Sequence, residues 1–438
     1  MFYIDKNTEL TTEHIKKYIE IFKSQYLPKL KTNKAYYDAK NPPIMNRVMA
    51  DPDKPNNKIA TAYSRYITTL INGYFLGGKA INYTIPDEQL DAIINANKET
   101  EQSHNIDIGK NCSIYGVSYE LLYLNNNKQL KMTILNSETV IPIYSNDIDG
   151  ELLYAIRFWD ETDVLDNKTT TNIELYTNTD IKIFKMENNS ISLVEVKEHY
   201  FKTCPINVFK NNNDMTGDSE CVYQLISGLD IVLSDTSNFR ESLNDSYLCI
   251  YNANLSDEEL LKMKSNRIFS VDSDENNSAK IEWLNKDSND TENENYKDRL
   301  ENMIKKFSFV ADLETIATSH VSAESIKNGS YGIEGIVSDK ESQFKQALFR
   351  RLQLICNIYN LFGNNFTPEG IKIQFFRNIA KNLSVISDNV SKLASTVSRK
   401  SLLQQIPFIT DINAELKQIE EEQKHNYDNE IKTETIVQ

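Results

Sequence analysis

Nothing in the sequence marks it for export or for a bilayer. The opening MFYIDKNTEL has neither a basic n-region nor an apolar h-region, and no stretch approaches about eighteen uninterrupted apolar residues. Secretion and membrane spanning are therefore not expected. Paired cysteines are missing too. Cys112, Cys204, Cys221, Cys249 and Cys356 are odd in number, far apart and without CxxC spacing, so they read as reduced core thiols. The histidines at 14, 104, 199, 320 and 425 are equally scattered, which leaves no zinc constellation. No GxSxG elbow, HExxH or Cys-His pair occurs, so no catalytic residue, cofactor or metal site is expected. Positive charge is in deficit, with 48 Lys and Arg against 63 Asp and Glu, a net charge of -15. That balance argues against a whole-surface grip on nucleic acid, which needs cations to displace phosphate counterions, but it suits a surface past which a polyanion slides without sticking.

What is present is an ordinary globular mixture, 40% hydrophobic and 25% charged with 23 Tyr and 18 Phe, in a chain of 438 residues that is long enough for two to four structural regions. After a Thr-rich cap, Leu10, Ile15, Ile19, Phe22 and Tyr26 have helical spacing, which predicts a helix over 9–27. A Pro- and Asp-rich loop follows, then a helix over 58–76 closed by Gly77 and Gly78, and a third over 86–97. From Tyr115 to Tyr200 the period falls to two, and Asn- and Asp-rich turns at 125–127 and 146–150 divide an antiparallel sheet region. A long helix over 218–248 opens on a GDSE cap, a second resumes near Thr291 with Leu300, Met303, Ile304 and Phe307 on one face, and a third spans 338–362. Between the first two lies a compact insert with a short helix (SDEELLKMK) and strand-like IFSV and KIEWL. A polar, Gly-bearing stretch precedes the third helix, 371–376 is strand-like, and the tail from Ser384 reads as short helices.

Three features invite a chemical reading. Gly73 to Lys79 fits GxxxxGK, but Ala80 stands where a P-loop needs Ser or Thr, and the segment closes a helix where a P-loop opens one. The run from Asp272 to Asn277 resembles the start of an EF-hand loop, yet position six is Asn and position twelve is Trp283, so a solvated loop is the reading. The pairs Lys305-Lys306 and Arg350-Arg351 flank apolar helix faces, as solvated or subunit-pairing charges or as phosphate contacts.

Five segments in order resemble the portal proteins of tailed bacteriophages, in particular the siphophage type with wing, stem, clip and crown. They are DPDKPNNKIATAYSRYITTLINGYFLGGKAINY (51–83), IYGVSYELLYLNNNKQLKMTILNSETVIPIYSND (114–147), HYFKTCPINVFKNNNDMTGDSECVYQLISGLDIVLSDTSNFRESLNDSYLCIY (199–251), NGSYGIEG with the helix to Phe362, and STVSRKSLLQQIPFITDINAELKQIEEEQ (395–423). In the fourth, Ser330-Tyr331-Gly332 and Ile333-Glu334 stand where related chains have a Ser-Gly pair and an Ala-Leu-Lys step.

The resemblance implies an α+β portal fold: a mixed α/β wing (1–216 with 338–382), a two-helix stem (217–248 and 292–312), a small α/β clip (249–291), a tunnel loop (313–337) before the long helix, and a helical crown with a flexible tail (383–438). It implies a non-enzymatic subunit of a cyclic ring, a dodecamer in the virion. Double-stranded DNA would pass through this ring at one capsid vertex during packaging and ejection, and the ring would connect head to tail. The terminase large subunit, a head-tail adaptor, and major capsid and scaffolding proteins would be partners, with host cytoplasm as the place of assembly and no membrane involved. The tunnel loop would turn His320, Ser322, Lys327, Asn328 and Ser330 toward DNA, and the clip would offer Asn254, Asp257, Lys264, Arg267, Asp272, Asp274 and Trp283 to adaptor and terminase. Two rival readings are a nucleotide-hydrolysing packaging motor resting on Gly73 to Lys79, and a capsid or tail structural protein without a channel.

Overall fold

The computed structural model describes residues 2–52, 54–96, 98–163, 168–187, 190–243, 247–251, 256, 258, 280–284, 290–310, 331–378, 390–403, 406, 409, 412 and 415–423. It divides into a large unit, Met1–Arg377, and a small one, Asn378–Gln438. No helix among the described residues is long and apolar enough to cross a membrane.

Strand β1 (Phe2–Ile4) opens the chain and is followed by α1 (Thr12–Ile21), whose Thr11 cap accepts from the His14 N–H while the His14 ring accepts from the Thr11 N–H. The helix expected to end at 27 runs on. Pro28, which has no N–H to give to the preceding turn, is accommodated by a π-turn (Phe22–Tyr26), and α2 (Leu27–Tyr37) continues beyond it. Leu10, Ile15, Ile19 and Phe22 are buried as the spacing predicts. A short helix α3 (Pro42–Met45) precedes α4 (Tyr63–Leu76), and Gly77 closes α4 by donating to the Gly73 carbonyl. Then come β2 (Asn82–Thr84), α5 (Glu88–Asn95) capped by Asp87, and α6 (Lys98–Tyr115).

The period-two region becomes β3 (Val117–Leu124), β4 (Leu130–Leu135), β5 (Val140–Ser145), β6 (Leu152–Asp163), β7 (Lys168–Tyr176), β8 (Asp180–Glu187) and β9 (Ser190–Glu198). It serves two sheets rather than one. Strand β10 (Ile206–Lys210) pairs with β3 in the order β10-β3-β4, and the larger sheet runs β1-β5-β6-β7-β8-β9, antiparallel except for β1 on β5. One face of the large sheet, with Ile141, Ile156, Phe158, Ile173 and Phe184, buries the apolar stripe of α1 and α2. Its other face meets the small sheet through Val140, Ala155, Tyr176, Tyr119 and Ile206.

The first long helix, α7 (Tyr223–Leu243), stops short of the expected Leu248, and Tyr247–Tyr251 forms β11 instead. YLCIY has no polar face for a helix to present, and it pairs in register with β12 (Lys280–Leu284), Leu248 opposite Trp283. Helix α8 (Asp290–Phe307) returns against α7, burying Leu300 and Ile304 while Phe307 stays exposed. The third long helix, α9 (Tyr331–Tyr359), begins nearly two turns before the expected Ser338. Ile333 and Val337, expected in a tunnel loop spanning 313–337, are fully buried on it, so any loop ends by residue 330. Strand β13 (Lys372–Gln374) pairs with β2. In the small unit, α10 (Arg399–Leu403) buries Leu402 and Leu403, and 415–423 is helical.

The segment 57–61, expected to start a helix at Lys58, is extended and lies along α7. The Asn57 N–H donates to Asn238 Oδ1 at 2.7 Å, the Ile59 N–H to Ser234 Oγ at 2.9 Å and the Thr61 N–H to Asp230 Oδ1 at 2.8 Å. Alternate residues of the strap thus meet side chains four apart on the helix, because two extended residues advance ~6.6 Å and four helical ones ~6 Å. The Thr61 hydroxyl and the Asn41 amide also donate to the Asp230 carboxylate. Burial still raises the pKa of this carboxyl, with those hydrogen bonds opposing the shift. Helix α4 therefore starts only at Tyr63, once the strap has left α7.

Where α6 ends, Gly116 takes φ +82°, and a Cβ there would sit 2.1 Å from the Met215 carbonyl oxygen. Gly116→Ala is therefore expected to destabilise the protein by more than the ~1–3 kcal/mol of left-handed backbone strain alone, read as a lowered urea midpoint at unchanged slope.

Candidate functional site

The site that organises the molecule is the seat of α9, because two cations three helical turns apart on it are buried. Lys340 Nζ donates to Asp218 Oδ2 at 2.7 Å, to Asn211 Oδ1 at 2.6 Å and to Ser113 Oγ at 3.0 Å, and its side chain is only 3% exposed. Asp218 comes from the GDSE motif. That motif has the composition of a helix cap, but the Asp218 carboxylate faces Lys340 and Asn211, and Ser219, at the helix N-terminus, makes no capping bond. A buried ammonium with no other carboxylate within ion-pair distance among the described residues is the stronger claimant. The remaining letters are also used in place: the Glu220 carboxylate accepts from the Gly217 N–H and from the Asn33 amide, and Ser219 bonds Ser64. A cleft of about 430 Å³ opens beside Lys340, with Asn212, Thr216 and Asp339 on its walls.

Three turns on, Arg351 is 1% exposed. Its Nε donates to Glu120 Oε2 at 3.0 Å, while Nη1 donates to Glu101 Oε1 at 2.9 Å and to Asn105 Oδ1 at 2.8 Å. Nη2 lies 2.8 Å from Glu120 Oε1, and the guanidinium stacks over the Phe209 ring. His104 Nε2 and the Asn207 amide complete the shell of Glu120, and the Tyr83 hydroxyl donates to Glu101. Burial alone would raise the Glu120 carboxyl, but Arg351 and His104 outweigh it and bring it down to about 2. Burial likewise opposes the charge on Arg351, and the two carboxylates override it and raise its pKa. With both acids held by one guanidinium, this is a clamp rather than an acid–base pair. A third clamp grips another face of α9, where Arg377 bonds Glu334 and Glu341 at 2.8 Å each and the Tyr74 hydroxyl joins Glu334.

Sequence reasoning does not single out Glu101, Glu120 or Lys340, and it takes Asp218 only as part of a helix cap. The available signal was charge on apolar faces: Glu120 inside VSYELLYL, whose first six residues are all buried, and Arg351 among Leu348, Leu352 and Leu354. The Arg350-Arg351 pair was noted, and the two part company, Arg351 entering the core while Arg350 donates to the Cys204 carbonyl at 3.0 Å. Lys306 is exposed. Of the residues expected to meet partners or DNA, Trp283 lies on β12 opposite Leu248. His320, Ser322, Lys327, Asn328, Ser330, Asn254, Asp257, Lys264, Arg267, Asp272 and Asp274 lie outside the described residues, as do SDEELLKMK for the most part and IFSV entirely. Gly73 sits within α4 and Gly77 closes it, which is the reverse of P-loop geometry.

A mixed α/β body that spends its buried charges on seating one long helix, and that carries a helix pair joined through a β-ladder, has the make-up of an assembly component. The family described as "Phage portal protein, SPP1 Gp6-like" matches residues 15–428, and the chain belongs to that family, whose members are structural components of the virion. The portal protein of Bacillus phage SPP1 is 23% identical over 243 residues, a match covering 50% of this chain and 45% of that protein. The chain thus spans about half the length of the curated relative it matches.

The depressed Glu120 carboxyl sets an acid limb. Its contribution is present in full above the ordinary carboxylate value of 4.5 and is lost as pH falls toward about 2, an amount on the order of 3 kcal/mol. Glu120→Gln is expected to cost about 3–5 kcal/mol at pH 7 by stranding part of the Arg351 charge, and to flatten the fall in urea midpoint between pH 5 and pH 3, roughly the window set by this shift. An unchanged acid limb in the variant would assign that limb to other groups.

Proposed function

We propose that copies of this chain close into a ring at one capsid vertex, through which double-stranded DNA is packaged and later ejected and to which the tail is joined. The observation that carries the reading is the family match along almost the entire chain, 15–428. Further support comes from the hairpin of α7, the β11–β12 ladder and α8, since a segment inserted between two antiparallel helices projects at their far end. In this reading the body up to 216, with α9 and β13, is the wing, α7 and α8 are the stem, the segment containing the ladder is the clip, 313–330 is the tunnel loop, and 383–438 is the crown. The clip, Trp283 included, would dock the terminase large subunit and then the head-tail adaptor, and the outer wing would meet capsid and scaffolding proteins. A net charge of -15 suits a bore that DNA must slide through.

The seat of α9 acquires a purpose here. The helix starts at Tyr331, immediately after the tunnel loop, so the Lys340 and Arg351 clamps would hold the loop's base steady while DNA moves past. Lys327, with Asn328 and Ser330 beside it, would brush phosphates without clamping them.

Negative-stain images of the purified protein, without nucleotide and in the presence of chelator, are expected to show rings with an axial hole; particles lacking a hole would overturn the reading. In phage carrying Lys327→Glu, rings of normal thermal stability and a clear loss of packaged full-length DNA are expected, measured by genome content per particle. Replacing Asn252 to Asn289 by a short Gly linker is expected to leave a folded ring that no longer pulls down the adaptor.

A further inference from the structure

Arg350 does not share the fate of Arg351. It lines a cleft of about 230 Å³ between the β5–β6 hairpin, β10 and α9, together with Tyr144, Lys210, Gln343 and Gln346. The cleft is rich in donors that have nothing to donate to. Lys210, half-buried at the end of β10, has no carboxylate within ion-pair distance among the described residues, and burial lowers its pKa unopposed. The Nε of Arg350 is buried without a partner. Gln343, Gln346 and Arg350 repeat at helical spacing along one face of α9, and neither glutamine amide is engaged within the described chain. The one acid on the rim, Glu151, already pairs with Lys6 at 2.9 Å. Two incompletely partnered cations in a chain of net charge -15 call for an anion from outside.

The shape says which anion. Leu152, Val208 and Ala347 share the lining, so the opening is partly apolar. A duplex phosphate is fixed among its neighbours, whereas a single carboxylate on a flexible stem can enter such a cleft beside Lys210 and Arg350. Copies of so acidic a chain also repel one another, so contact between them needs a cationic receptor on one side. We propose that this cleft receives an Asp or Glu side chain of a neighbouring copy of the chain, its carboxylate held by Lys210 and Arg350 while the Gln343 and Gln346 amides donate at the rim. The proposal rests on the ring assembly put forward above. The contact is heterologous, a receptor on one flank and an acid on the other, which is the arrangement that closes rings.

The test uses rings assembled from equal parts of natural-abundance and ¹⁵N-labelled full-length chain. A carbodiimide then condenses an amine with an adjacent carboxylate to an amide, and the lost water is taken up as the urea. Mass spectrometry of the digest is expected to find Lys210 joined to an Asp or Glu peptide in mixed-label pairs. Lys210 joined only to acids of its own copy, Glu151 for instance, would overturn the proposal. Lys210→Gln and Arg350→Gln, each checked for wild-type circular dichroism and melting, are expected to lower the ring-to-monomer ratio about tenfold or more and to make rings fall apart at lower salt. Folded variants with rings as salt-resistant as the wild type would sink the idea. Protection of Lys210 by short duplex DNA, but not by assembly, from acylation by an N-hydroxysuccinimide ester would point to nucleic acid and overturn it equally. If the wild-type chain forms no rings at all, the ring reading fails and this proposal falls with it. Rings in which only the Lys210 results are negative overturn this proposal alone.

Discussion

A helix that buries two full positive charges can sit in very few places. Moving α9 by one residue along its axis, a shift of ~1.5 Å and ~100°, would carry Lys340 away from Asp218 and Arg351 away from Glu101 and Glu120, stranding charges where water cannot reach them. Apolar packing alone tolerates such slips far better, because Leu, Ile and Phe accept many partners. Phe344 is wedged between Phe75, Phe209 and Phe375, but the ion pairs set the register. Much else follows from that placement. Asp218 lies just before α7, so the start of the helix pair is tied to α9. Glu120 and Asn207 lie on β3 and β10, so the small sheet is tied to it as well.

The helix pair is held in a different way. Along α7 the grip on the body comes from the strap, a set of backbone donors and polar side chains, with Tyr36 stacked on Tyr223 at 3.9 Å near the root. Against α8 the contact is apolar, through Leu300 and Ile304. A polar grip at the body and a greasy seam between the helices give a shaft rigid at its base.

Much of the fold was legible where local chemistry acts alone. The Thr11 cap, the closing Gly77, a helix within 86–97 and the alternation from Tyr115 to Tyr200 all appear as read. What escaped needed a partner distant in sequence. The three-residue β1 has too few residues for a pattern, and α6, with buried Glu101, Asn105 and Ser113 set among buried apolar residues, shows no single apolar face. Residues 57–61 look helical because the apolar spacing of α4 extends backward through them, and only α7, about 180 residues away, draws them out straight. The candidate site divides likewise. Arg350 and Arg351 were visible as a charged pair, but the acids that separate their roles come from α6 and β3. Asp218 was visible with the wrong duty, because a cap is a local inference and an ion pair with Lys340 is not.

The strap along α7 behaves as a vernier. Its two scales, extended chain and helix, differ by ~0.6–0.8 Å at each step, a mismatch that hydrogen bonds absorb over a few rungs and no further. Three rungs, at Asp230, Ser234 and Asn238, are used here, and near both ends the coincidence is reinforced by a second bond, from Thr61 at one and from Asn57 to Glu241 at the other. A longer strap would drift out of phase, and a shorter one would leave the helix free to roll. Insertions or deletions of one residue between Asp230 and Asn238 would turn the rest of α7 by about 100° against its scale. Changes of length in this lineage should therefore collect beyond Glu241, where no rung has to coincide.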